Sequence, residues 1–177
     1  LVVRIRDPKE NEKVFDPADG TGGFLVATLA YQLRRFRAEY KRDLGDKTQD
    51  SILDRLRDYA NKNLFGADFD PFLVRASTMN VLMAANTEGH IFHMDSLAFP
   101  HSHLPGNEMA KKFVPFGSVD VLMTNPPFGS EIPITERGIL ENNPLARRWT
   151  TTTCFTVGAS SSALSASRFR GTICPRR

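Results

Sequence analysis

Three glycines within four residues, directly behind an apolar run that ends in an acid, constrain this chain more than any other feature. The stretch is Val14-Phe15-Asp16-Pro17-Ala18-Asp19-Gly20-Thr21-Gly22-Gly23-Phe24-Leu25, and helical spacing begins straight after it. A strand, a tight turn and a helix start follow from that order. Gly20, Gly22 and Gly23 reach backbone conformations closed to other residues and clear space beside the chain. Such a turn at the end of a strand brings a nucleotide-like ligand against bare backbone. No Gly-Lys-Ser/Thr follows, which excludes a phosphate-binding P-loop, and the spacing G-x-G-x-x-G is absent.

The rest of the chain alternates strands and helices. Val2 to Ile5 reads as a short strand or the end of a helix, and Lys13–Asp16 as the first buried strand. Leu25, Leu29, Leu33, Phe36 and Tyr40 mark one face of a helix from Gly23 to about Tyr40. Its other face carries Arg34, Arg35, Arg37, Lys41 and Arg42; phosphate contact is one reading, a solvated face the plainer one. A polar linker, Asp43–Asp50, leads to a second helix through Ile52, Leu56 and Tyr59, then a strand over Asn63–Asp68. Asp70 and Pro71 suit the N-cap and first position of a helix that runs to about Asn86, with Gly89 beyond it. Met79 and Met83 in that helix are expected as core filler. His90–Asp95 reads as a strand, Pro100–Phe116 as a loop and Ser118–Thr124 as a strand. This alternation predicts an α/β fold with a mostly parallel, doubly wound sheet.

The candidate site residues fall at the strand ends. Asp16 ahead of the glycines suits a ligand with an ammonium group rather than a pyrophosphate, and the methionine part of S-adenosylmethionine is such a ligand. Asp68, at the end of the second strand, is placed to bond ribose hydroxyls. Asp95, at the end of the third, is placed to accept from an adenine amino group. Asn125-Pro126-Pro127-Phe128 closes the fourth strand. The prolines end the ladder and stiffen the backbone. The Asn125 side-chain oxygen and the Pro126 carbonyl can converge on one amino group, and accepting both its hydrogens makes the nitrogen more nucleophilic. Phe128 can stack on a planar ring. This is catalysis by position and electrostatics, and no metal is called for.

Together, Asp16 to Leu25 and Asn125-Pro126-Pro127-Phe128 resemble the N6-adenine DNA methyltransferases, most closely the methylation subunits of type I restriction–modification systems. The stretches around Asp68-Phe69-Asp70 and Asp95-Ser96-Leu97 share the resemblance, which covers about residues 1–149. It implies a Rossmann-like S-adenosylmethionine-dependent methyltransferase fold, here incomplete. It implies that Asp16, Pro17, Ala18, Gly20, Thr21, Gly22 and Gly23 bind the methionine end of the cofactor, Asp68 its ribose and Asp95 its adenine. Asn125 to Phe128 hold the target adenine, extruded from double-stranded DNA. Specificity and restriction subunits are the implied partners. The pattern usually has Cys or Ala at position 19, so Asp19 adds a carboxylate near the cofactor. The family also has a cofactor-contacting motif upstream of the turn, ahead of where this chain starts. A methyltransferase acting on a protein glutamine or an RNA guanine, or an inactive truncated fragment, are the alternatives.

Composition adds a boundary. Residues 1–141 hold all 20 acids and 17 of the 23 bases; residues 142–177 hold six arginines and no acid. Both cysteines, Cys154 and Cys174, lie in that tail, and two cysteines do not make a disulfide framework, so a reduced, cytoplasmic setting is expected. The expected domain is therefore 1–149, followed by an atypical basic segment, 150–177. That segment reads as a basic arm for nucleic acid or, as its abrupt onset favours, an out-of-frame translation. The chain opens on Leu1 rather than Met, as a processed protein or a piece of a longer one does. No run of about 18 apolar residues is present, so no membrane span is expected.

Overall fold

The computed structural model describes residues 1–43, 49–127 and 139–140. The chain divides into two compact units, Leu1–Pro126 and Pro127–Arg177. The sheet and its helices belong to the first; Pro127, Ile139 and Leu140 are the described residues of the second. The expected boundary near residue 149 and the basic tail lie outside the described residues.

The elements run α1 (Val2–Arg6), β1 (Val14–Asp16), α2 (Gly23–Asp43), α3 (Gln49–Asn63), β2 (Leu64–Asp68), α4 (Pro71–Ala85), β3 (His90–His93), α5 (Gly106–Phe113) and β4 (Val121–Leu122). Val2 to Ile5 is thus helical. The four strands form one parallel sheet in the order β3-β2-β1-β4. The chain winds outward from β1 to β3 and then crosses to the other side of β1, so the winding reverses between β1 and β4. Ligands of such Rossmann-like sheets sit beyond the carboxyl ends of the strands at that reversal.

Successive strand residues face opposite layers. Val14, Leu64, Ile91 and Val121 pack with Leu25, Leu29 and Phe36 of α2, Leu56 and Tyr59 of α3, and Val81 of α4. Phe65, Ala67 and Phe92 face the other way, towards Ala110 and Phe113 of α5. There the rings of Phe65, His90, Phe92 and Phe113 stack, the closest pair being His90 and Phe113 at 4.2 Å between centroids. No described helix is long and apolar enough to cross a membrane.

Helix α4 begins as its sequence dictates. Asp70 Oδ1 accepts the Phe72 N–H at 2.8 Å, Pro71 follows the cap, and Asn86 closes the helix in the left-handed region at φ 53°. Its facing differs from expectation. α4 buries Ser77, Val81 and Ala85, four residues apart, and this turns Met79 and Met83 outward; Met83 is 71% exposed. These methionines are surface, not core. The basic face of α2 is largely solvated, Arg34, Arg37 and Lys41 being exposed, but Arg35 instead donates to the Pro8 carbonyl at 2.9 Å.

The segment Pro100–Phe116 holds a helix where a loop was expected. Asn107 and Ala110 are its buried residues, and Val114 just past its end is buried too. Eight residues are too few for periodicity to stand out between flanking prolines and glycines. The helix starts so close to β3 that a Cβ on Gly106 would lie 2.6 Å from the His93 backbone N and O. Backbone cannot yield as a flexible side chain can, so Gly106→Ala is expected to lower stability by about 2 kcal/mol in urea denaturation.

Candidate active site

Because all four strands are parallel, their carboxyl ends share one edge. Across it stand, in spatial order, Asp95 after β3, Asp68 closing β2, Asp16 closing β1 and Asn125 after β4. Phe15 is in register with Leu122, and the Met123 N–H donates to the Phe15 carbonyl at 3.1 Å. Asn125 therefore emerges next to the start of the glycine turn. Asn125, Pro126 and Pro127 are exposed, while Phe128 lies outside the described residues.

Hydrogen bonds join the loops at three of these strand ends. In the turn, the Ala18 N–H donates to Asp16 Oδ1 at 3.1 Å and the Asp19 N–H to the Ala67 carbonyl at 2.9 Å. Gly20 donates its N–H to Asp68 Oδ2 at 2.9 Å, and the Gly22 N–H reaches the Asp19 carbonyl at 3.0 Å. Gly20 and Gly22 sit at φ 61° and 84°, in the region that favours glycine. Ser96 Oγ donates to the Pro17 carbonyl at 2.6 Å and ties the loop after β3 to the turn. Asp68 Oδ1 accepts from the Asp70 N–H at 2.9 Å, so both Asp68 oxygens already hold one backbone donor, and each keeps a lone pair for a ligand hydroxyl. Asp95 Oδ1 accepts from the Leu97 N–H at 2.9 Å. Thr21 and Gly23 are exposed at the tip and the start of α2.

The electrostatics of this edge are one-sided. Asp16 is only 1% exposed and Asp19 only 5%. Burial pushes the Asp16 carboxyl above its ordinary range, against the Ala18 N–H and the nearby Thr124 hydroxyl, which lower it; Asp68 adds repulsion. The Thr124 hydroxyl approaches Asp16 without the geometry of a hydrogen bond. Burial pushes Asp19 further, to about 7, with Ser77 opposing and Asp16 and Asp68 adding to it. Among the described residues no Lys, Arg or His forms an ion pair with Asp16, Asp19 or Asp68. Buried carboxylates without a counter-charge suit a cationic ligand. An open groove of about 410 Å³ lies beside the turn, lined by Thr21, Gly22, Gly23, Val26, Asn80, Met83 and Ala84. None of the acids lines it.

The family model described as N-6 DNA Methylase matches residues 1–162. The chain belongs to the N-6 DNA methylase family. Two curated relatives are the type I restriction enzyme StySPI methylase subunit of Salmonella potsdam and the EcoKI methylase subunit of Escherichia coli K12. The first is 29% identical over 130 residues, which is 73% of this chain and 21% of the relative. The second is 28% identical over 129 residues, with the same coverage of both chains. A crystal structure of a modification subunit assigned to a type I restriction enzyme of Vibrio vulnificus YJ016 superposes with a TM-score of 0.53 at 31% identity, over 81% of this chain and 24% of that one. This N-6 DNA methylase chain thus spans about a fifth to a quarter of the length of these relatives.

The structure adds supporting residues that the sequence did not single out. Ser77 and Asn80 of α4 bond the turn, and Ser96 bonds Pro17. Polar residues inside an otherwise apolar helix were the available signal for the first two. Asp19, expected to bring its carboxylate near a cofactor, instead turns under the loop between Ser77 and Gly66. Its folded-state pKa lies above the ordinary 3.8. Asp19 therefore costs stability in full above about pH 7, and the cost fades as pH falls through 7 towards 3.8. Asp19→Asn is expected to raise stability at pH 8 by on the order of 3 kcal/mol in urea denaturation, with the gain falling to roughly half or less at pH 5.

Proposed function

We propose that this chain is the cofactor- and adenine-binding part of a type I modification subunit, an adenine-N6 DNA methyltransferase that uses S-adenosylmethionine. The observation that carries the reading is the convergence on one sheet edge of an uncompensated acid cluster and the Asn125-Pro126 acceptor pair. The parallel order β3-β2-β1-β4 accounts for their meeting. S-adenosylmethionine supplies a methyl group on a positively charged sulfur.

The residues present fit that ligand. Among the described residues Asp16 and Asp68 stand without a cation and Thr124 Oγ1 is buried without a partner beside Asp16, and the glycine turn offers backbone close to solvent. In this reading the turn from Asp16 to Gly23 holds the methionine end, the free lone pairs of Asp68 take the ribose hydroxyls, and Asp95 takes the adenine amino group. Phe69 and Leu97, exposed beside those two acids, offer apolar surface to the planar ring.

At the other end of the edge, Asn125 Oδ1 and the Pro126 carbonyl accept the two hydrogens of the target N6 amino group. That withdraws the nitrogen lone pair from the ring and aims it at the electrophilic carbon. The new C–N bond would form as the carbon–sulfur bond of the donor breaks, its electron pair staying on sulfur in a neutral thioether, and the N6 proton would then leave to water, so no strong base is needed. Phe128 stacks on the flipped adenine. The relatives are named as subunits of type I restriction enzymes, which supports partner subunits; in this reading those are specificity and restriction subunits, and the substrate is double-stranded DNA.

Calorimetric titration of the chain with S-adenosylmethionine is expected to give binding that Asp16→Ala removes. In the complete subunit assembled with its partners, Asn125→Ala is expected to lower methyl transfer to DNA adenine by about 10²-fold or more while leaving cofactor affinity intact. Absence of cofactor binding at millimolar concentration, or full methylation by the Asn125 variant, overturns the reading.

A further inference from the structure

Helix α4 grips the glycine turn with two side chains one helical turn apart. Asn80 Nδ2 donates to the Thr21 carbonyl at 2.8 Å, and the buried Ser77 hydroxyl donates to Asp19 Oδ2. Ser77 Oγ lies 2.7 Å from the place a Cβ would take on Gly22, so the hydroxyl is wedged against the turn backbone. On its other side Asp19 Oδ2 lies 2.7 Å from the place of a Cβ on Gly66, with Leu25 beside it. The carboxyl is thus clasped between β2, α2 and α4.

Among the described residues the charge around it is all of one sign. Asp16 faces Asp19 from β1 and Asp68 from β2; α2 and α4 contribute the uncharged Leu25 and Ser77. Asp19 Oδ1 is buried without a partner. An ionised carboxylate there carries an unanswered charge beside two like charges, whereas the neutral acid keeps the Ser77 contact without that repulsion.

We propose that Asp19 and Ser77 are positioning residues, a latch of carboxyl and hydroxyl that clamps the glycine turn onto α4 and sets where Gly20 to Gly23 meet the methyl donor. The part of this that concerns the donor rests on the reading of the turn as its cradle. The latch adds to the positive φ as a reason for glycine at position 22: a Cβ there crowds Ser77 Oγ. It also gives Asp19 a role beneath the cofactor rather than against it.

The test compares the wild-type chain with Asp19→Asn, Asp19→Ala, Ser77→Ala and the double alanine variant, by amide hydrogen exchange of Gly20–Gly23 without ligand and by titration with S-adenosylmethionine. Asp19→Ala and Ser77→Ala are expected to speed exchange at the turn and to weaken cofactor binding, each by about tenfold. The isosteric Asp19→Asn rescues both readouts to within about twofold of wild type. The double variant is no worse than the worse single one, because both remove the same contact. If Asp19→Ala does not fold, Ser77→Ala and the asparagine rescue decide the matter. Turn exchange that is unchanged in Ser77→Ala, or Asp19→Asn as damaging as alanine, overturns the latch. The expected exchange pattern with no cofactor binding by any variant, wild type included, keeps the latch and overturns the methyl-donor reading. Equal cofactor binding by all variants overturns the latch and keeps that reading.

Discussion

Three carboxylates meet at the carboxyl ends of β1 and β2, and among the described residues no basic side chain pairs with them. The turn can hold two of them there because backbone N–H groups do part of the work of a cation, while Asp19 has the Ser77 hydroxyl. Ala18 serves Asp16, and Gly20 and Asp70 serve Asp68. Each bond requires the chain to follow one path, and two of the residues on that path require a positive φ. The glycines, the acids and the sheet order are therefore one constraint: change the path and the acids lose their donors, remove the acids and the path loses its ties.

Much of this was legible in the sequence for a physical reason. In a parallel sheet the strand interiors must be apolar on both faces, so acids at the strand ends, such as Asp16, Asp68 and Asp95, stand out against the runs before them. Glycines after a strand and the pair Pro126-Pro127 are equally plain, since few other settings need them. The cap of α4 was readable because Asp70 and Pro71 act locally.

What escaped depends on tertiary facing. Helix α4 is apolar on most of its circumference, so residue type could not tell which side packs; Met79 and Met83 turned outward while Ser77 turned in. Ser77 and Asn80 stand out in α4 only as polar residues, and what they bond is set when the turn is folded over them. Helix α5 was hidden because its Gly106 start is chosen for close approach to His93, and a glycine beside prolines reads as loop.

The two halves of the site rest on unequal supports. The glycine turn is bound to β2, α4 and the loop after β3 by at least four hydrogen bonds. Asn125 follows a strand of two residues, Val121–Leu122, whose described sheet pairing is with β1 alone, and Leu122 is largely exposed. Local opening free energy tracks such contact density. The glycine-turn side of the edge is accordingly an anvil, fixed by the body of the fold, while the Asn125 side is hung from the sheet's lightest rung. Whatever strengthens β4 tunes how firmly Asn125 and Pro126 are aimed, without ever touching them.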